Sequence, residues 1–345
     1  MLDLSRLNRV IAVDEANGAV TLEPGVSFMD LDAHLCAIGS NLMLSVPDIG
    51  WGSVLGNALE RGIGYAAYGD HRAHICGLEV VLANGEVLRT GMGALPGSET
   101  FALYKGGFGP TLDGLFVQSN LGVVTQMGLW LMPRPARTAA CMIAADHFDD
   151  LGRLIDVLHP LQLNATIQSP CVIGNATAIP SMVSPRGAWH RGPGVIGAKG
   201  IGRIRAAMGL GLWNARFGLY GSAAMVAARL DEVRAAVQGT GLTLTERSYD
   251  TPLDRATVHP ADRAQLPGAT GASLGRCGAD GGVAVRHPGP YRLFGDPAAE
   301  RGQGQSGHGA DRRSDRKRRV RFRRMRHAFP PPCAGSGAGQ FRQGA

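Results

Sequence analysis

The chain has 345 residues, of which 44% are hydrophobic and 18% charged, so it can bury the core of one large domain or two ordinary ones. Its net charge of +7 is unevenly distributed, because residues 267–345 carry 14 Arg and one Lys against five acids. The remaining residues, 1–266, are slightly acidic. The basic character of the whole chain therefore does not indicate a nucleic-acid-binding protein, and we expect no nucleic-acid partner.

The six cysteines are dispersed and form no CxxC pair. This argues against a disulfide framework or a zinc site and favours a reducing compartment. The N-terminus lacks the basic and apolar regions of a secretory signal, and no stretch approaches the roughly 18 apolar residues that a membrane span requires. These observations predict a cytoplasmic protein with no membrane partner and no metal.

The N-terminal part predicts two hairpins and two short helices. LNRVIAVDE and AVTLEPG alternate around Asn17-Gly18, which predicts a hairpin with a type I′ turn. CGLEVVLANGEVLRTG predicts a second hairpin, and residues 54–61 predict a short helix. FMDLDAHLCAIG predicts a longer helix, because three apolar side chains have helical spacing: Phe28, Leu31 and Leu35.

Further along the chain, strands alternate with helices, which predicts an α+β fold with helices packed on an open sheet. The helix in HFDDLGRLIDVLHP is predicted to place five apolar side chains on one face: Phe148, Leu151, Leu154, Ile155 and Leu158. The proline-rich segment PRPART predicts a domain boundary within residues 134–138.

We therefore predict a first domain at residues 1–135, a second domain at residues 136–266 and a tail at residues 267–345. The tail contains 16 glycines, no Ile, no Trp and a basic run at residues 311–327. Such a composition cannot bury enough apolar surface to offset the entropy of an ordered chain, which predicts that the tail is disordered.

Residues 47–70 combine glycines, phenols and a carboxylate near a predicted helix start. Ser53 is the predicted N-cap of this helix, and Gly62 is its predicted end. The free N–H groups in the first turn of the helix predict a binding site for an anion. Its glycines would let the backbone approach a flat ligand closely: Gly62, Gly64 and Gly69. The side chains in this segment that could take part in a reaction are the carboxylate of Asp48 and the phenols of Tyr65 and Tyr68. From these residues alone, an ordinary glycine-rich turn between a helix and a hairpin, with the tyrosines packed at its edge, is the favoured interpretation.

Two other motifs are interpreted as structural. GPGVIG, at residues 192–197, matches the dinucleotide pattern GxGxxG, but no strand precedes it and no acid follows at the required distance, which predicts a loop. His71, His74 and Cys76 are close in sequence, but a strand that begins among them alternates its side chains. We therefore expect no shared metal site there.

Taken together, GNALERGIGYAAYGDHRAHICGLEVVLANGEVLRTGMGALPGS and YKGGFGPTLDGLFVQSNLGVVTQMGLWLMPRP strongly resemble the 4-cresol dehydrogenase and vanillyl-alcohol oxidase group of flavoproteins. The cresol dehydrogenase and eugenol hydroxylase flavoprotein subunits are the most similar members, and the resemblance covers about residues 2–266. It implies an FAD-binding domain of the p-cresol methylhydroxylase type, followed by a substrate cap. The implied reaction transfers a hydride from a para-alkylphenol or phenolic benzylic alcohol to flavin N5, with a cytochrome or O₂ as the electron acceptor.

The resemblance also implies site residues. Those matched to FAD contacts are Ser53, Val54, Gly56, Asn57, Gly62, Gly64, Tyr65, Gly122, Val123 and Val124. Asp48 matches an acid near flavin N5 in the alcohol oxidases, and Tyr65 matches a tyrosine beside the active site. Both are therefore the predicted catalytic residues.

Compared with these relatives, the chain is expected to be truncated at both ends, and the tail is expected to be out-of-frame translation. FAD-dependent oxidation by this chain is accordingly expected to be impaired. The alternative is a catalytically inactive fragment that acts only as a protein-interaction module, and the sequence leaves a homodimer open.

Overall fold

The computed structural model describes residues 2–47, 50–107, 109–184, 186–253, 258 and 262. The predictions for Asp48 and for the tail at residues 267–345 lie outside these described residues. Those that are described belong to one compact unit. Among them, none of the helices has both the length and the apolar content to span a bilayer.

The N-terminal part is built on a five-stranded antiparallel sheet with the strand order β1-β2-β6-β4-β5. Its strands are β1 (Val10–Asp14), β2 (Ala19–Leu22), β4 (Ile75–Leu82), β5 (Val87–Arg89) and β6 (Gly122–Trp130). A separate two-stranded sheet pairs β3 (Leu42–Met43) with β7 (Met132–Pro133). Two helices, α1 (Phe28–Ala37) and α2 (Val54–Leu59), contribute side chains to the first core, which lies between them and the large sheet.

Helix α1 is confirmed where its apolar spacing predicted it. Ser27 caps its start, because its hydroxyl accepts the N–H of Asp30 while the Asp30 carboxylate accepts the N–H of Ser27. The three predicted side chains, Phe28, Leu31 and Leu35, are all fully buried.

The first hairpin forms, but its turn differs from the predicted type I′ turn. Asp14 pairs with Ala19, so the connection has four residues rather than two. A type I′ turn needs a positive φ at both central residues, whereas only Gly18 has one, of 64°. Asn17 instead donates its backbone and side-chain N–H groups to the Asp14 carboxylate, which holds the longer loop together.

The second half of the described chain forms a four-stranded antiparallel sheet with the order β11-β8-β10-β9. Its strands are β8 (Arg137–Ala145), β9 (Val172–Asn175), β10 (Trp213–Gly221) and β11 (Thr243–Asp250). The helices of this half are α3 (Leu151–Leu163), α4 (Ala178–Val183), α5 (Ala198–Met208) and α6 (Ala223–Val237). Side chains from α3 and α6 pack with the sheet in a second core, which confirms the α+β fold class.

The buried face of α3 differs from the predicted face. The buried side chains are Leu154, Leu158 and Leu161, whereas Phe148 is 71% exposed and Ile155 46% exposed. Successive residues of a helix are 100° apart, so Ile155 turns away from the stripe that Leu154 and Leu158 define. The helix also continues through Pro160 to Leu163, which brings Leu161 into the core.

The chain passes from one sheet to the other within the predicted boundary segment, since β7 ends at Pro133 and β8 begins at Arg137. A third buried cluster contains side chains from both halves: Met43, Ala66, Ala67, Met132 and Tyr220. The two-stranded sheet and the four-stranded sheet are therefore joined by shared apolar packing. The division into separate domains stays a prediction.

Candidate functional site

Helix α2 begins at a fixed cap. The Ser53 hydroxyl accepts the N–H of Gly56 at 2.9 Å and donates to the carbonyl of Pro24 at 2.5 Å. The N–H of Val54 donates to Val26, and the Val54 side chain is fully buried. The N–H groups of Val54 and Gly56, which were expected to help form an anion site, are thus already used inside the protein.

The end of α2 is a Schellman motif, and its geometry corrects the predicted role of Gly62. The left-handed residue is Arg61, with φ of 56°, and the N–H of Gly62 donates to the carbonyl of Asn57 at 2.8 Å. A Cβ on Gly62 would lie 2.2 Å from Asn57 Oδ1. Glycine is required at this position because the Asn57 side chain packs directly against it, rather than because of its φ.

The loop that follows is held by Ser45. The Ser45 hydroxyl accepts the N–H of Ala66 at 3.0 Å and contacts its carbonyl at 3.3 Å. A Cβ on Gly64 would lie 2.2 Å from Ser45 Oγ, and the N–H of Gly64 donates to Gly69. Tyr65 lies between these contacts and is half-buried. We call residues 62–70 the glycine-tyrosine loop.

The two histidines after this loop have different partners. The ring of His71 is buried and contacts Asn57 and Ser45, whereas His74 Nδ1 contacts the carbonyl of Asp70, and its ring stacks on Tyr68 with centroids 4.2 Å apart. Within the described part of the chain, no group of three His, Cys, Asp or Glu side chains is arranged to hold a metal ion.

A backbone hydrogen bond links the two predicted cofactor segments. The N–H of Gln118 donates to the carbonyl of Leu59, the last residue of α2, at 3.0 Å. Strand β6 then begins with Gly122 and Val123, which are partly exposed, whereas Val124 is buried in the first core. This hydrogen bond connects the segment before β6 to the end of α2.

The buried carboxylate of Asp113 supports strand β4, which follows the glycine-tyrosine loop, and it was not among the residues predicted from the sequence. Asp113 accepts the hydroxyl of Thr90 and the N–H of Gly77, and Thr90 Oγ1 accepts the N–H of Leu78 at 2.7 Å. Gly77 has φ of 84° at an irregularity in the pairing of β4 with β6. Burial raises the pKa of Asp113, and the Thr90 hydroxyl opposes that rise. The signal in the sequence was a lone acid in an otherwise apolar and glycine-rich segment.

Several large apolar side chains near the predicted contacts face solvent. Trp51 is 52% exposed, Ile63 46% and Leu121 57%. They flank α2, the glycine-tyrosine loop and the start of β6. Exposed apolar groups on glycine-rich backbone suit a flat, largely apolar ligand with polar edges.

A groove of about 690 Å³ lies elsewhere, between the end of α6 and β11, and contains none of the predicted site residues. Arg234 already pairs there with Asp231 and Glu246. The segment GPGVIG is a loop before α5, as predicted.

Residues 1–91 match the family described as FAD binding domain, which includes α2, the glycine-tyrosine loop and β4. The N-terminal part is therefore similar to FAD-binding domains over residues 1–91. FAD, with its flat isoalloxazine ring, fits the exposed apolar groups and glycine-rich backbone around Trp51 and Ile63, which confirms the cofactor predicted from the resemblance.

Known proteins support the same assignment over more of the chain. The chain is 38% identical over 225 residues to the 4-cresol dehydrogenase [hydroxylating] flavoprotein subunit of Pseudomonas putida, which is 64% of this chain and 43% of that protein. Among solved structures, p-cresol methylhydroxylase with bound substrate superposes with a TM-score of 0.70 at 32% identity, covering 79% of this chain and 54% of that one. The 4-ethylphenol oxidase of Gulosibacter chungangensis, in an isoeugenol complex, gives a TM-score of 0.69 at 34% identity, with 78% and 53% covered. The predicted resemblance is confirmed, and the chain spans about half the length of these relatives.

Proposed function

We propose that this protein is an FAD-dependent oxidoreductase that removes a hydride from para-alkylphenols or phenolic benzylic alcohols. The observation that carries the proposal is the 38% identity to a 4-cresol dehydrogenase flavoprotein subunit. The glycine-tyrosine loop, fixed against Ser45 and Asn57, supports it, because a flavin site needs backbone held in one conformation. A cytochrome or O₂ is the proposed final electron acceptor.

The chemistry follows from the substrate class. Ionisation of a 4-alkylphenol pushes electron density towards the benzylic carbon, so its C–H bond breaks with departure of a hydride. Bound FAD supplies the two-electron acceptor for that hydride. The phenolate becomes a quinone methide, and water adds at the benzylic carbon to give the alcohol. No proton acceptor is needed for the hydride step itself.

We assign the predicted residues to this scheme by the resemblance from which they were predicted. The flavin end is assigned to the surface of α2 and of the glycine-tyrosine loop, at Ser53, Val54, Gly56, Asn57, Gly62 and Gly64. The N–H groups of Val54, Gly56, Gly62 and Gly64 bond within the protein, so they fix this surface rather than bind the ligand. The start of β6 holds the adenine end, through Gly122, Val123 and Val124. Tyr65 and Asp48 act at the substrate end, where a phenol can donate to the substrate oxygen and a carboxylate can act as a general acid–base group.

Equilibrium dialysis with FAD, followed by anaerobic absorbance measurements, tests the proposal. We expect saturable FAD binding and bleaching of the flavin band by 4-methylphenol. Matched 4-methylanisole should leave the band unchanged, because its oxygen cannot ionise. Bleaching by D-lactate instead would overturn the substrate class, bound FAD that no phenol reduces would overturn the activity, and an absence of FAD binding would overturn the whole proposal.

A further inference from the structure

His71 connects three segments around the glycine-tyrosine loop. Its side chain is almost completely buried, with 4% exposed, and its ring packs against Phe28 with centroids 5.2 Å apart. Nε2 lies 2.8 Å from the carbonyl oxygen of Ser45, and Nδ1 lies 2.6 Å from Oδ1 of Asn57. Both ring nitrogens therefore have a partner inside the protein.

These partners and the burial of the ring together define its protonation state and tautomer. A carbonyl oxygen only accepts hydrogen bonds, so Nε2 carries a proton and donates it to Ser45. Burial lowers the pKa of His71 to about 4, so the ring is neutral near pH 7 and Nδ1 has a lone pair. A lone pair on Nδ1 needs a donor, so we assign the Asn57 amide with its NH₂ group, rather than Oδ1, facing Nδ1; a half-turn about the last side-chain torsion exchanges the two atoms.

The same two partners hold the glycine-tyrosine loop. Ser45 binds Ala66 and packs against Gly64, and Asn57 accepts the N–H of Gly62 and packs against its Cα. His71 itself lies directly after the loop. The imidazole thus closes a ring of contacts that begins and ends at this segment.

We propose that His71, as the neutral imidazole with its proton on Nε2, is the positioning residue of the glycine-tyrosine loop. It sets the place of Tyr65 and of the backbone at Gly62 and Gly64 without touching the ligand. That the ligand is FAD rests on the proposed function. The role of His71 in ordering the loop does not.

Two substitutions separate the two contacts. His71→Gln can keep a donor near Ser45 but loses the partner of Asn57, whereas Asn57→Asp keeps the shape and removes the donor to Nδ1. A carboxylate there favours the charged imidazole, so Asn57→Asp should raise the His71 pKa, against the background of its charged neighbours Asp70 and His74. His74→Gln is the matched control, because the His74 ring contacts only the carbonyl of Asp70 and the ring of Tyr68 among the contacts described above.

The measurements are nitrogen NMR of labelled histidine and amide exchange in the protein without FAD, followed by FAD titration. We expect the Nε2–H tautomer in the unmodified protein and a raised His71 pKa in Asn57→Asp. In His71→Gln we expect at least tenfold faster exchange at Ala66 and tenfold weaker FAD binding. His74→Gln should change the exchange rate at Ala66 and the FAD affinity by less than about twofold.

An Nδ1–H tautomer, or a His71 ring that titrates near pH 6.5, would overturn the proposal. So would exchange at Ala66 in His71→Gln that matches His74→Gln. If the unmodified protein binds no FAD, the proposed function fails, while the tautomer and exchange results still decide the role of His71. If His71→Gln does not fold, the tautomer and the pKa change in Asn57→Asp decide it.

Discussion

At the scale of single residues, Asp113 and Thr90 support the irregular part of β4. The pairing register of β4 with β6 shifts between Ile75 and Leu78, which leaves the N–H of Gly77 to be satisfied outside the ladder. The Asp113 carboxylate accepts this N–H, and the Thr90 hydroxyl both donates to Asp113 and accepts from Leu78. One hydroxyl thus satisfies two buried groups.

Thr90→Val should therefore destabilise the protein by about 2–4 kcal/mol, because each buried polar group that loses its partner costs roughly 1–3 kcal/mol. The substitution should also raise the pKa of Asp113 further, because in the unmodified protein the Thr90 hydroxyl stabilises the charged carboxylate. Thr90→Ser keeps the hydroxyl and is the matched control. Urea unfolding at neutral pH measures the difference, and a Val variant within about 0.5 kcal/mol of the Ser variant would contradict the assigned role.

The buried ring of His71 also predicts a pH dependence. Its pKa is lowered to about 4 in the folded protein from an ordinary value of 6.5, so the unfolded chain binds a proton that the folded protein does not. Its contribution to the free energy of unfolding is complete above pH 6.5 and falls by up to about 1.4 kcal/mol per pH unit as the pH drops towards about 4. Burial of Asp113 has the opposite sign, because its raised pKa favours the folded state on acidification.

The comparison of the unmodified protein with His71→Gln isolates this contribution, since both proteins retain Asp113. We expect the difference in unfolding free energy between them to shrink from pH 7 to pH 5. Chemical unfolding across that range measures it. A difference that stays constant with pH would mean that His71 keeps its ordinary pKa in the folded protein, and a difference that grows on acidification would mean that its pKa is raised.

Residue types in the glycine-tyrosine loop were predictable, but their individual roles were not. The sequence indicated that Gly62 and Gly64 permit close approach of a flat ligand, whereas in the structure side chains of the protein, Asn57 and Ser45, lie directly against them. It placed the end of α2 at Gly62, whereas Arg61 adopts the left-handed conformation. The sequence Arg61-Gly62 does not reveal which of the two residues adopts the left-handed conformation. That choice depends on Asn57, which lies five positions before Gly62 in the chain.

At the scale of elements, the spacing of apolar residues in the sequence predicted the helices and strands. The geometry of the loops depended instead on contacts between polar groups. Helix α1 follows its spacing, and both hairpins form around Asn-Gly pairs. The first turn is lengthened by the bonds between Asn17 and Asp14, which a turn rule based on residue type does not include. The predicted face of α3 is confirmed at Leu154 and Leu158 and wrong at Phe148, which precedes the helix, and at Ile155, which lies 100° around the helix from Leu154.

The corrected face of α3 gives a test. Leu154 is fully buried in the second core, whereas Leu163 on the same helix is 74% exposed. Leu154→Ala should lower the free energy of unfolding by about 2–5 kcal/mol, because it leaves a cavity. Leu163→Ala should change it by less than about 0.5 kcal/mol. Thermal and urea unfolding of both variants compare them, and equal losses would show that the assigned face is wrong.

At the scale of the whole molecule, shared packing joins the two-stranded sheet to the four-stranded sheet, and no local sequence pattern predicts it. Met43 and Met132 from the small sheet lie in one cluster with Ala66, Ala67 and Tyr220 of β10. A Cβ on Gly69 would lie 2.4 Å from Pro170, so the glycine-tyrosine loop also approaches the second half directly. Contacts of this kind join residues more than a hundred positions apart, where neither period nor turn chemistry carries information.

This cluster predicts that a defect in the first half reaches the second. Met43 and Leu22 are both fully buried in the N-terminal part, but only Met43 belongs to the cluster that contains Tyr220. Met43→Ala and Leu22→Ala should each cost about 2–5 kcal/mol through the cavity they leave. Amide exchange along β10 should then accelerate more in Met43→Ala than in Leu22→Ala, because removing a neighbour of Tyr220 loosens the strand locally as well as through global unfolding. Equal acceleration in the two variants, once matched for global stability, would mean that the halves are coupled only by unfolding together.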